Sequence, residues 1–401
     1  MRKFLLSLGG LAALAIIAFF GLAPSIAEKS MNRIEGSGQW PVSAAAKALH
    51  KRLVIIDTHG DTLLWQRTID APSDRGHIDL ARLEAGNVAL QVFSSVTKTP
   101  KGQNYESNSD KTDNITLLAI AQAQPFNTWG LFGDFFGAPF GAALLNRSLW
   151  HAEKLARAEA ASKGRLRIVR TPDDLSQLIA DRAAGKRVTG ALLSSEGMQN
   201  LEGNPANLAV LQRAGFRMMG LTHFFDNDIA GSMHGEKKTG LTPLGRRLVP
   251  VMEDRGIIID LAHSSHATFA EVMQVARRPV VISHGGVKGT CNTNRNLTDA
   301  ELRLLARNGG IIGIGYWDAA VCDTSPKAIA AAMKHVRDLV GIQHVALGSD
   351  YDGATTVRFD TSQLVQVTQA LLDAGFTPDE IRAAMGGNAI RVLRDGLKPA
   401  A

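Results

Sequence analysis

The sequence predicts one α/β domain, a (β/α)8 TIM-like barrel, from three observations. Eight short apolar runs of strand-like composition recur along the 401 residues, and most are followed by a stretch with helical periodicity. Strands that are apolar almost throughout and alternate with helices indicate a parallel sheet covered on both faces. No glycine-rich dinucleotide fingerprint follows any run, which argues against the alternative, a doubly wound open sheet.

The apolar runs have the lengths expected of buried strands. They cover residues 53–57, 88–96, 190–196, 216–223, 256–263, 279–284, 309–316 and 344–350. A ninth run, residues 166–170, exceeds the count of an eight-stranded barrel, and it is interpreted as an accessory strand.

A long insertion follows the second run, at about residues 97–145. It begins polar and becomes apolar and aromatic from about residue 117 onward, with Trp129, Phe132, Phe135, Phe136 and Phe140. A connection of this length is typically a functional lid or binding loop. The aromatic part could cover the barrel mouth, contact a partner subunit or touch a membrane, but the simplest interpretation is a small extra core.

Residues 1–27 have the pattern of an export signal. Arg2 and Lys3 precede an uncharged apolar stretch, and the small residues Ser25 and Ala27 predict cleavage after Ala27. The apolar part, residues 4–23, is 20 residues long and could also span a bilayer, so an uncleaved membrane anchor is the alternative. Either interpretation places residues 28–401, the single barrel domain, in a periplasmic or other extracytoplasmic compartment.

Charge and cysteine content narrow the classes of function. The net charge of +6 is scattered among acidic residues, so no nucleic-acid surface is predicted. The chain has two cysteines, Cys291 and Cys322, which in an oxidising compartment are a reasonable disulfide pair. Two buried thiols are the alternative.

Ionisable side chains stand where six of the predicted strands end: His59, Asp61, Glu196, His223, His263, His284 and Asp350. The carboxyl ends of barrel strands converge on one mouth, where active sites are built. A lone histidine at a strand end is usually structural, but this many ionisable groups at the same end predict a site. Six other histidines lack this placement and are interpreted as surface or structural residues: His50, His77, His151, His234, His266 and His335.

The types of these residues predict a metal site. His59 and Asp61 are two residues apart, so in extended backbone both side chains can reach one cation. Imidazole and carboxylate donors suit zinc, with manganese, cobalt or iron as alternatives. Three histidines and two carboxylates suit two ions that share Glu196, and two such ions are hydrolytic machinery. Asp57 has no role in this scheme and is expected behind the ligands or in a structural position.

Nine short segments are highly specific when their order and spacing are taken together: DTHGD, HIDLARLEAGNVALQVFSS, SSEG, LTHFFDNDIAGS, IIIDLAHSS, PVVISH, CNTNRNLTD, GSDYDG and GGNAIRVL. With them the sequence resembles the membrane dipeptidase (renal dipeptidase) family, peptidase family M19, over about residues 50 to 395. This family consists of zinc peptidases whose barrel is related to that of the amidohydrolases. The His-x-Asp of the first segment is itself informative, because most amidohydrolases carry His-x-His there.

The resemblance implies a binuclear zinc dipeptidase, in which a metal-bridging hydroxide attacks the amide bond of a small dipeptide. By this resemblance His59, Asp61 and Glu196 hold the first zinc ion. Glu196, His263 and His284 hold the second.

The resemblance also implies roles for residues that bind no metal. His223 would stabilise the tetrahedral intermediate, Arg295 would bind the free carboxylate of the dipeptide, and Asp350 would serve proton transfer and the substrate's amino end. A disulfide between Cys291 and Cys322 is implied, because Cys291 precedes Arg295 by the family's interval of four residues. A homodimer and tolerance for a D-residue at the C-terminal position of the dipeptide are implied too.

Two alternatives to this function remain open in the sequence. The aromatic insertion has no counterpart in the family pattern, so an exported amidohydrolase for another amide, a lactone or a β-lactam is the alternative among enzymes. A cell-envelope protein that binds metal or peptide without catalysis is the alternative from another class. Membrane contact is expected only through the N-terminal segment, if that segment is not cleaved.

Overall fold

Eight parallel strands close into a barrel in the computed structural model, which describes residues 2–36, 40–122 and 143–399. The barrel strands are β1 (Ile55–Asp57), β2 (Val88–Val96), β3 (Thr189–Glu196), β4 (Phe216–Gly220), β5 (Ile258–Asp260), β6 (Val281–Gly285), β7 (Ile311–Ile314) and β8 (Val345–Leu347). Each strand pairs with the next one in the sequence, and β8 pairs with β1 to close the ring. The predicted (β/α)8 barrel is therefore confirmed.

Several strands are shorter than the predicted runs, because the polar ends of the runs leave the sheet. β5 ends at Asp260 although its run continues to His263, and β8 ends at Leu347 although its run continues to Asp350. His263 and Asp350 have φ angles of 64° and 59°, in the left-handed region, which interrupts extended backbone. The ionisable groups at these ends therefore lie on the loops that begin at the barrel mouth.

The ninth apolar run forms an accessory strand, as predicted. Leu166–Ile168 pairs in parallel with Thr189–Ala191 of β3. Further along β3, Leu193–Ser195 pairs with β4 instead. The accessory strand thus extends the sheet beside one end of β3 without entering the closed ring.

Helices connect the strands and cover the barrel. The α-helices are Arg2–Met31, Ala44–His50, Leu80–Ala85, Ile115–Gln122, Ala143–Ala161, Pro172–Ala183, Asn207–Ala214, Pro243–Asp254, His266–Val275, Asp299–Asn308, Asp318–Val321, Pro326–Val340, Val365–Asp373, Pro378–Arg382 and Asn388–Gly396. Short 3-10 turns lie at Thr62–Leu64, Met198–Leu201, Ile342–His344 and Thr361–Gln363.

The helix Asp299–Asn308 shows how local sequence sets the bounds of an element. Thr298 Oγ1 accepts a hydrogen bond from the Glu301 backbone N (3.2 Å), and the Glu301 carboxylate accepts one from the Thr298 backbone N (2.9 Å). This reciprocal capping box satisfies amide groups that the helix itself leaves unpaired. Gly309, with φ of 82°, ends the helix, because a residue without a Cβ adopts this conformation at no steric cost.

Alternate residues of the strands belong to two separate apolar clusters. Ile55 and Leu193 pack in the layer under the surrounding helices. Their neighbours Ile56 and Leu192 belong to the second cluster, which also contains Val392 of the last helix. This alternation is the one expected of barrel strands that are buried on both faces.

The insertion after β2 contains the helix Ile115–Gln122 and leads into the helix Ala143–Ala161. The predicted aromatic residues lie outside the described residues: Trp129, Phe132, Phe135, Phe136 and Phe140. The polar first half of the insertion is described, and residues 99–105 contribute to the rim of the barrel mouth.

The N-terminal segment packs on the barrel domain. Its helix Arg2–Met31 is followed by Arg33–Ile34, which pairs in parallel with Thr356–Val357 in the loop after β8. Among the described residues, no helix is both long enough and apolar enough to cross a membrane. Signal cleavage after Ala27 stays a prediction.

The disulfide between Cys291 and Cys322 is present, as the sequence implied. Cys291 lies in the loop after β6 and Cys322 follows the short helix Asp318–Val321, so the bridge joins the loops after β6 and β7. Arg295 lies in the first of these loops.

Removing the bridge is expected to destabilise the fold. Replacing both cysteines by serine should lower the free energy of unfolding by about 3–4 kcal/mol, because the bridge closes a loop of 31 residues and restricts the unfolded chain. Urea unfolding of the variant and of the reduced wild type measures this, and the two should agree. Equal midpoints for variant and oxidised wild type would contradict the expectation.

Candidate active site

The loop after β1 brings His59 and Asp61 to the centre of the barrel mouth. Asp61 N donates to Tyr351 O in the loop after β8 at 2.9 Å. Between the two ionisable residues, Gly60 has no room for a side chain, because a Cβ there would lie 2.6 Å from Ile78 Cδ1 and 3.3 Å from Tyr351 O. The absence of a side chain at Gly60 therefore lets the β1 and β8 loops meet.

Glu196, the last residue of β3, lies at the centre of the site. One of its oxygens is 3.0 Å from His263 Nε2, 3.3 Å from His284 Nε2 and 3.7 Å from His59 Nε2. The other oxygen is 3.4 Å from His223 Nε2. One carboxylate thus faces four imidazoles, three on the loops after β1, β4 and β5 and one, that of His284, in β6.

A second group of carboxylates surrounds His59. Its Nε2 is 3.5 Å from Asp61 Oδ2 and 3.8 Å from Asp350 Oδ1. On the other side of Glu196, the Nε2 atoms of His263 and His284 lie 2.9 Å apart. The structure therefore brings all seven strand-end residues of the predicted site together.

These donor atoms fit metal ions. Three overlapping groups hold candidate ligand atoms within 4.8 Å of one another: His59, Glu196 and His284; Glu196, His223 and His263; and His59, Asp61 and Asp350. Buried His59 Nε2 and Asp61 Oδ1 have no hydrogen-bond partner among the described residues. Buried polar atoms without partners are costly, and a cation bound by these nitrogen and oxygen atoms would satisfy them. Two of the groups share Glu196, as a bridging ligand would require.

The charges of the site also favour a cation. Burial raises the pKa of Glu196 well above its ordinary value, and the negative charge of Asp61 raises it further. Burial likewise raises the pKa of Asp350 to about 8. Burial alone would lower the pKa of His59, but the carboxylates of Asp61 and Glu196 raise it to about 10. Such carboxylates take up protons where no metal cation compensates them.

The imidazoles of His223, His263 and His284 are neutral, because burial disfavours their protonated form. Burial lowers the pKa of His263 and His284 well below the ordinary value, and the positive charge of Arg295 adds to this effect. Burial also lowers the pKa of His223 to about 3. Neutral imidazole is the form that binds metal ions or donates a hydrogen bond from a single N–H.

Two polar side chains inside the strands, Asp260 and Ser283, orient His284. Asp260 accepts hydrogen bonds from Ser283 Oγ (2.6 Å) and from the backbone N of Ser283 and Ala262 (2.9 Å each). Ser283 Oγ in turn lies 2.9 Å from His284 Nδ1. Because Ser283 donates its hydroxyl proton to Asp260, the Ser283 oxygen accepts a hydrogen bond from His284 Nδ1. The Nε2 atom of His284 then carries a free lone pair.

Sequence reasoning missed this support, although a signal was present. Asp260 and Ser283 are polar residues within otherwise apolar runs. Asp57 resembles them, since its Oδ1 accepts hydrogen bonds from the backbone N of His59 (3.2 Å) and of Ser349 (3.0 Å). Asp57 therefore joins the turns after β1 and β8, in the structural position expected of it.

Arg295 presents a buried cation at the same site. Its Nη2 donates to His284 O at 2.8 Å, and its guanidinium carbon is 5.5 Å from the centre of the Trp317 ring. Its Nε and Nη1 have no hydrogen-bond partner among the described residues. A fully buried guanidinium with unpaired N–H donors is suited to an anionic group.

A cavity of about 660 Å³ joins Arg295 to the metal-site residues. Tyr105 and Trp317 belong to its wall, and the Trp317 Nε1 donates to the Tyr105 hydroxyl at 3.0 Å. His234 Nδ1 lies 2.8 Å from Tyr105 O, and its ring stacks on Phe224. The sequence did not identify Tyr105, which lies in the polar half of the insertion, or Trp317.

A (β/α)8 barrel with imidazoles and carboxylates around a cavity at its mouth defines a metal-dependent hydrolase. The family model for membrane dipeptidase (peptidase family M19) matches residues 43–398. The chain belongs to this family and is a metallopeptidase of the dipeptidase type.

Individual relatives agree with this assignment. Dipeptidase aclJ of Aspergillus oryzae is 28% identical over 390 residues, which cover 89% of this chain and 83% of the relative. The probable dipeptidase PvdM from Pseudomonas aeruginosa has a TM-score of 0.72 at 19% identity, covering 88% of this chain and 97% of that one. A metallopeptidase from Rhodobacter sphaeroides, liganded with a phosphinate mimic of the dipeptide L-Ala-D-Ala, has a TM-score of 0.67 at 22% identity, covering 86% and 99%. Both solved structures share the fold.

Replacing Asp260 by asparagine is expected to weaken metal binding. An asparagine amide cannot accept hydrogen bonds from both the backbone N and the Oγ of Ser283, as the Asp260 carboxylate does. His284 then loses its fixed tautomer, and the affinity for zinc should fall about 10- to 100-fold. Titration of the metal-free protein with zinc measures this. Asp254→Asn, at an exposed acid of the preceding helix, is the control, and equal affinities for both variants would contradict the role of Asp260.

Proposed function

We propose that this protein is a binuclear zinc dipeptidase that cleaves the amide bond of small dipeptides with both ends free. One observation carries the proposal: the same cavity is lined by Glu196 with its neighbouring imidazoles and carboxylates and by the buried, partly unpaired guanidinium of Arg295. A metal site explains hydrolysis in general. A free carboxylate on the substrate would give the unpaired N–H groups of this buried cation a partner.

His59, Asp61 and Glu196 would hold one ion, and Glu196, His263 and His284 the other. Mixed imidazole and carboxylate donors are those that zinc prefers. Two bound ions would supply an activated water near neutral pH and polarise the substrate carbonyl.

The residues around the metal site would orient the dipeptide. Arg295 would bind the terminal carboxylate through N–H groups that are not engaged by the backbone O of His284, which takes one hydrogen bond from Nη2. Asp350 would face the amino end and would carry the proton to the leaving amine. His223, which is neutral, would donate a hydrogen bond to the oxygen that becomes negative in the transition state.

We also propose that the enzyme works outside the cytoplasm. The disulfide supports this, because such bonds persist in oxidising compartments. Glu28, the first residue after the predicted cleavage point, is 1% exposed, whereas Ile26 is 65% exposed. The burial of Glu28 supports a mature chain that keeps this residue. A homodimer remains a proposal drawn from the resemblance to the family.

Metal removal and a Glu196 variant test the metal centre. The purified protein should contain two zinc ions per chain, lose dipeptide hydrolysis on chelation and regain it with zinc. Glu196→Ala should bind fewer than two ions and lose at least about a thousandfold in kcat, because the shared ligand is gone. Glu236→Ala, at an exposed acid, is the matched control. A wild type with fewer than two ions and no turnover would refute the proposal.

Substrates with a masked carboxylate test Arg295. The wild type should cleave a free dipeptide about a hundredfold better than the amidated one, measured as kcat/KM, because amidation leaves the buried guanidinium unpaired. Arg295→Met should cleave both slowly and lose this preference, and Arg295→Lys should recover only part of it. Circular dichroism checks that the variants fold. An equal rate on both substrates in the wild type would favour an amidohydrolase of another kind.

A further inference from the structure

One side of the cavity is an apolar surface built largely from outside the barrel strands. It consists of Met31, Leu64, Trp65, Val96, Leu118 and Ala121, and is called the apolar wall below. Five of these side chains are buried against one another, and the partly buried Met31 packs on them. Met31 ends the N-terminal helix, and Leu118 belongs to the helix Ile115–Gln122 of the insertion.

The apolar wall adjoins the Asp350 side of the site. Trp65 lies four residues after Asp61, and its Nε1 donates to the backbone O of Asp352, in the loop that carries Asp350, at 2.6 Å. Arg295 is held elsewhere, against Trp317. A dipeptide with its carboxylate on Arg295 and its amino group near Asp350 would therefore direct the side chain of its amino-terminal residue at the apolar wall.

The charges around the cavity define which side chain fits there. The apolar wall carries no ionisable group, and the carboxylates of Asp61 and Asp350 line the same cavity. An acidic substrate side chain would be desolvated there and repelled by both carboxylates. An aliphatic side chain would be transferred from water to apolar contacts, which is favourable.

Met31 is held in place by a buried ion-pair network one turn earlier in its helix. Glu28 pairs with Arg67 and, at 2.8 Å, with Arg75. Arg67 also pairs with Asp352, which accepts a hydrogen bond from Thr62 Oγ1 at 2.7 Å.

The network therefore ties the end of the N-terminal helix both to the turn after Asp61 and to the loop that carries Asp350. Strand pairing of Arg33–Ile34 with Thr356–Val357 fastens the segment on the other side of Met31. A residue held on both sides can act as a fixed wall of a binding site.

We propose that the apolar wall binds an aliphatic side chain on the amino-terminal residue of the dipeptide, and that Met31 determines this specificity. The inference rests on the proposed dipeptidase function. It makes the segment that directly follows the predicted cleavage point part of the substrate site.

Steady-state kinetics of the zinc-loaded protein tests the proposal with four substrates: Leu-Gly, Ala-Gly, Glu-Gly and Gly-Leu. Leu-Gly should exceed Ala-Gly in kcat/KM by about tenfold or more, because the leucine side chain buries more apolar carbon in the pocket than the alanine methyl group does. Glu-Gly should have the lowest kcat/KM, because its side chain is charged. Gly-Leu should show no comparable gain over Ala-Gly. The difference should arise mainly in KM.

A variant series assigns the preference to Met31. Met31→Ala should lower the ratio of Leu-Gly to Ala-Gly about fivefold, because one wall of the pocket is lost. Met31→Leu should restore most of the ratio. Lys29→Ala, in the same helix at an exposed residue that pairs with Asp74, should keep the wild-type ratio.

Each contrary result has its own meaning. Equal kcat/KM for Leu-Gly, Ala-Gly and Glu-Gly in the wild type overturns the inference while the dipeptidase function stands. A gain with Gly-Leu instead overturns the placement at the amino-terminal residue, and an unchanged ratio in Met31→Ala overturns the role of Met31. No turnover of any dipeptide by the two-zinc protein overturns the proposed function itself. Should Met31→Ala not fold, the wild-type substrate series still decides.

Discussion

The Glu196 carboxylate is buried with its oxygens 3.0–3.7 Å from four imidazole Nε2 atoms, and the barrel mouth is built around it. Three of the rings follow β1, β4 and β5, and the fourth, that of His284, lies in β6. A buried carboxylate that faces three neutral imidazoles and lies near further carboxylates is unstable in a protein interior unless cations compensate it. Metal binding would therefore complete the folded structure as well as the catalytic site.

Hydrogen bonds from residues behind the Glu196 site keep this arrangement in place. Asp57 joins the turns after β1 and β8, and Asp260 fixes Ser283 and through it His284. Asp260 accepts hydrogen bonds at both of its oxygens, which offsets the cost of burying it, whereas Asp57 accepts at Oδ1 and its Oδ2 has no partner among the described residues. On the opposite side, the ion pairs of Glu28 connect the N-terminal segment to the same loops, so the site and its apolar wall form one rigid unit.

Much of this could be read from the sequence, for reasons that are local. Parallel barrel strands are apolar on both faces and therefore stand out in the sequence as apolar runs. Each of the eight predicted runs contains a strand of the barrel. Barrel topology then brings strand ends together, so His59, Glu196 and His284 could be expected at one mouth although more than 200 residues separate the first from the last. Tyr105 and Met31 could not be found this way, because they reach the cavity from loops and helices that have no periodic relation to it.

The sequence by itself determined the fold class and the residue types that stand at the strand ends, since these depend on residue pattern and on order along the chain, and the resemblance to the family implied the disulfide. The tertiary structure decided which atoms face one another. It set Arg295 beside Trp317 with two unpaired donors, gave Ser283 its proton acceptor, and placed Met31 against Leu118. These contacts join residues far apart in the chain, and their geometry follows from packing that no local pattern records.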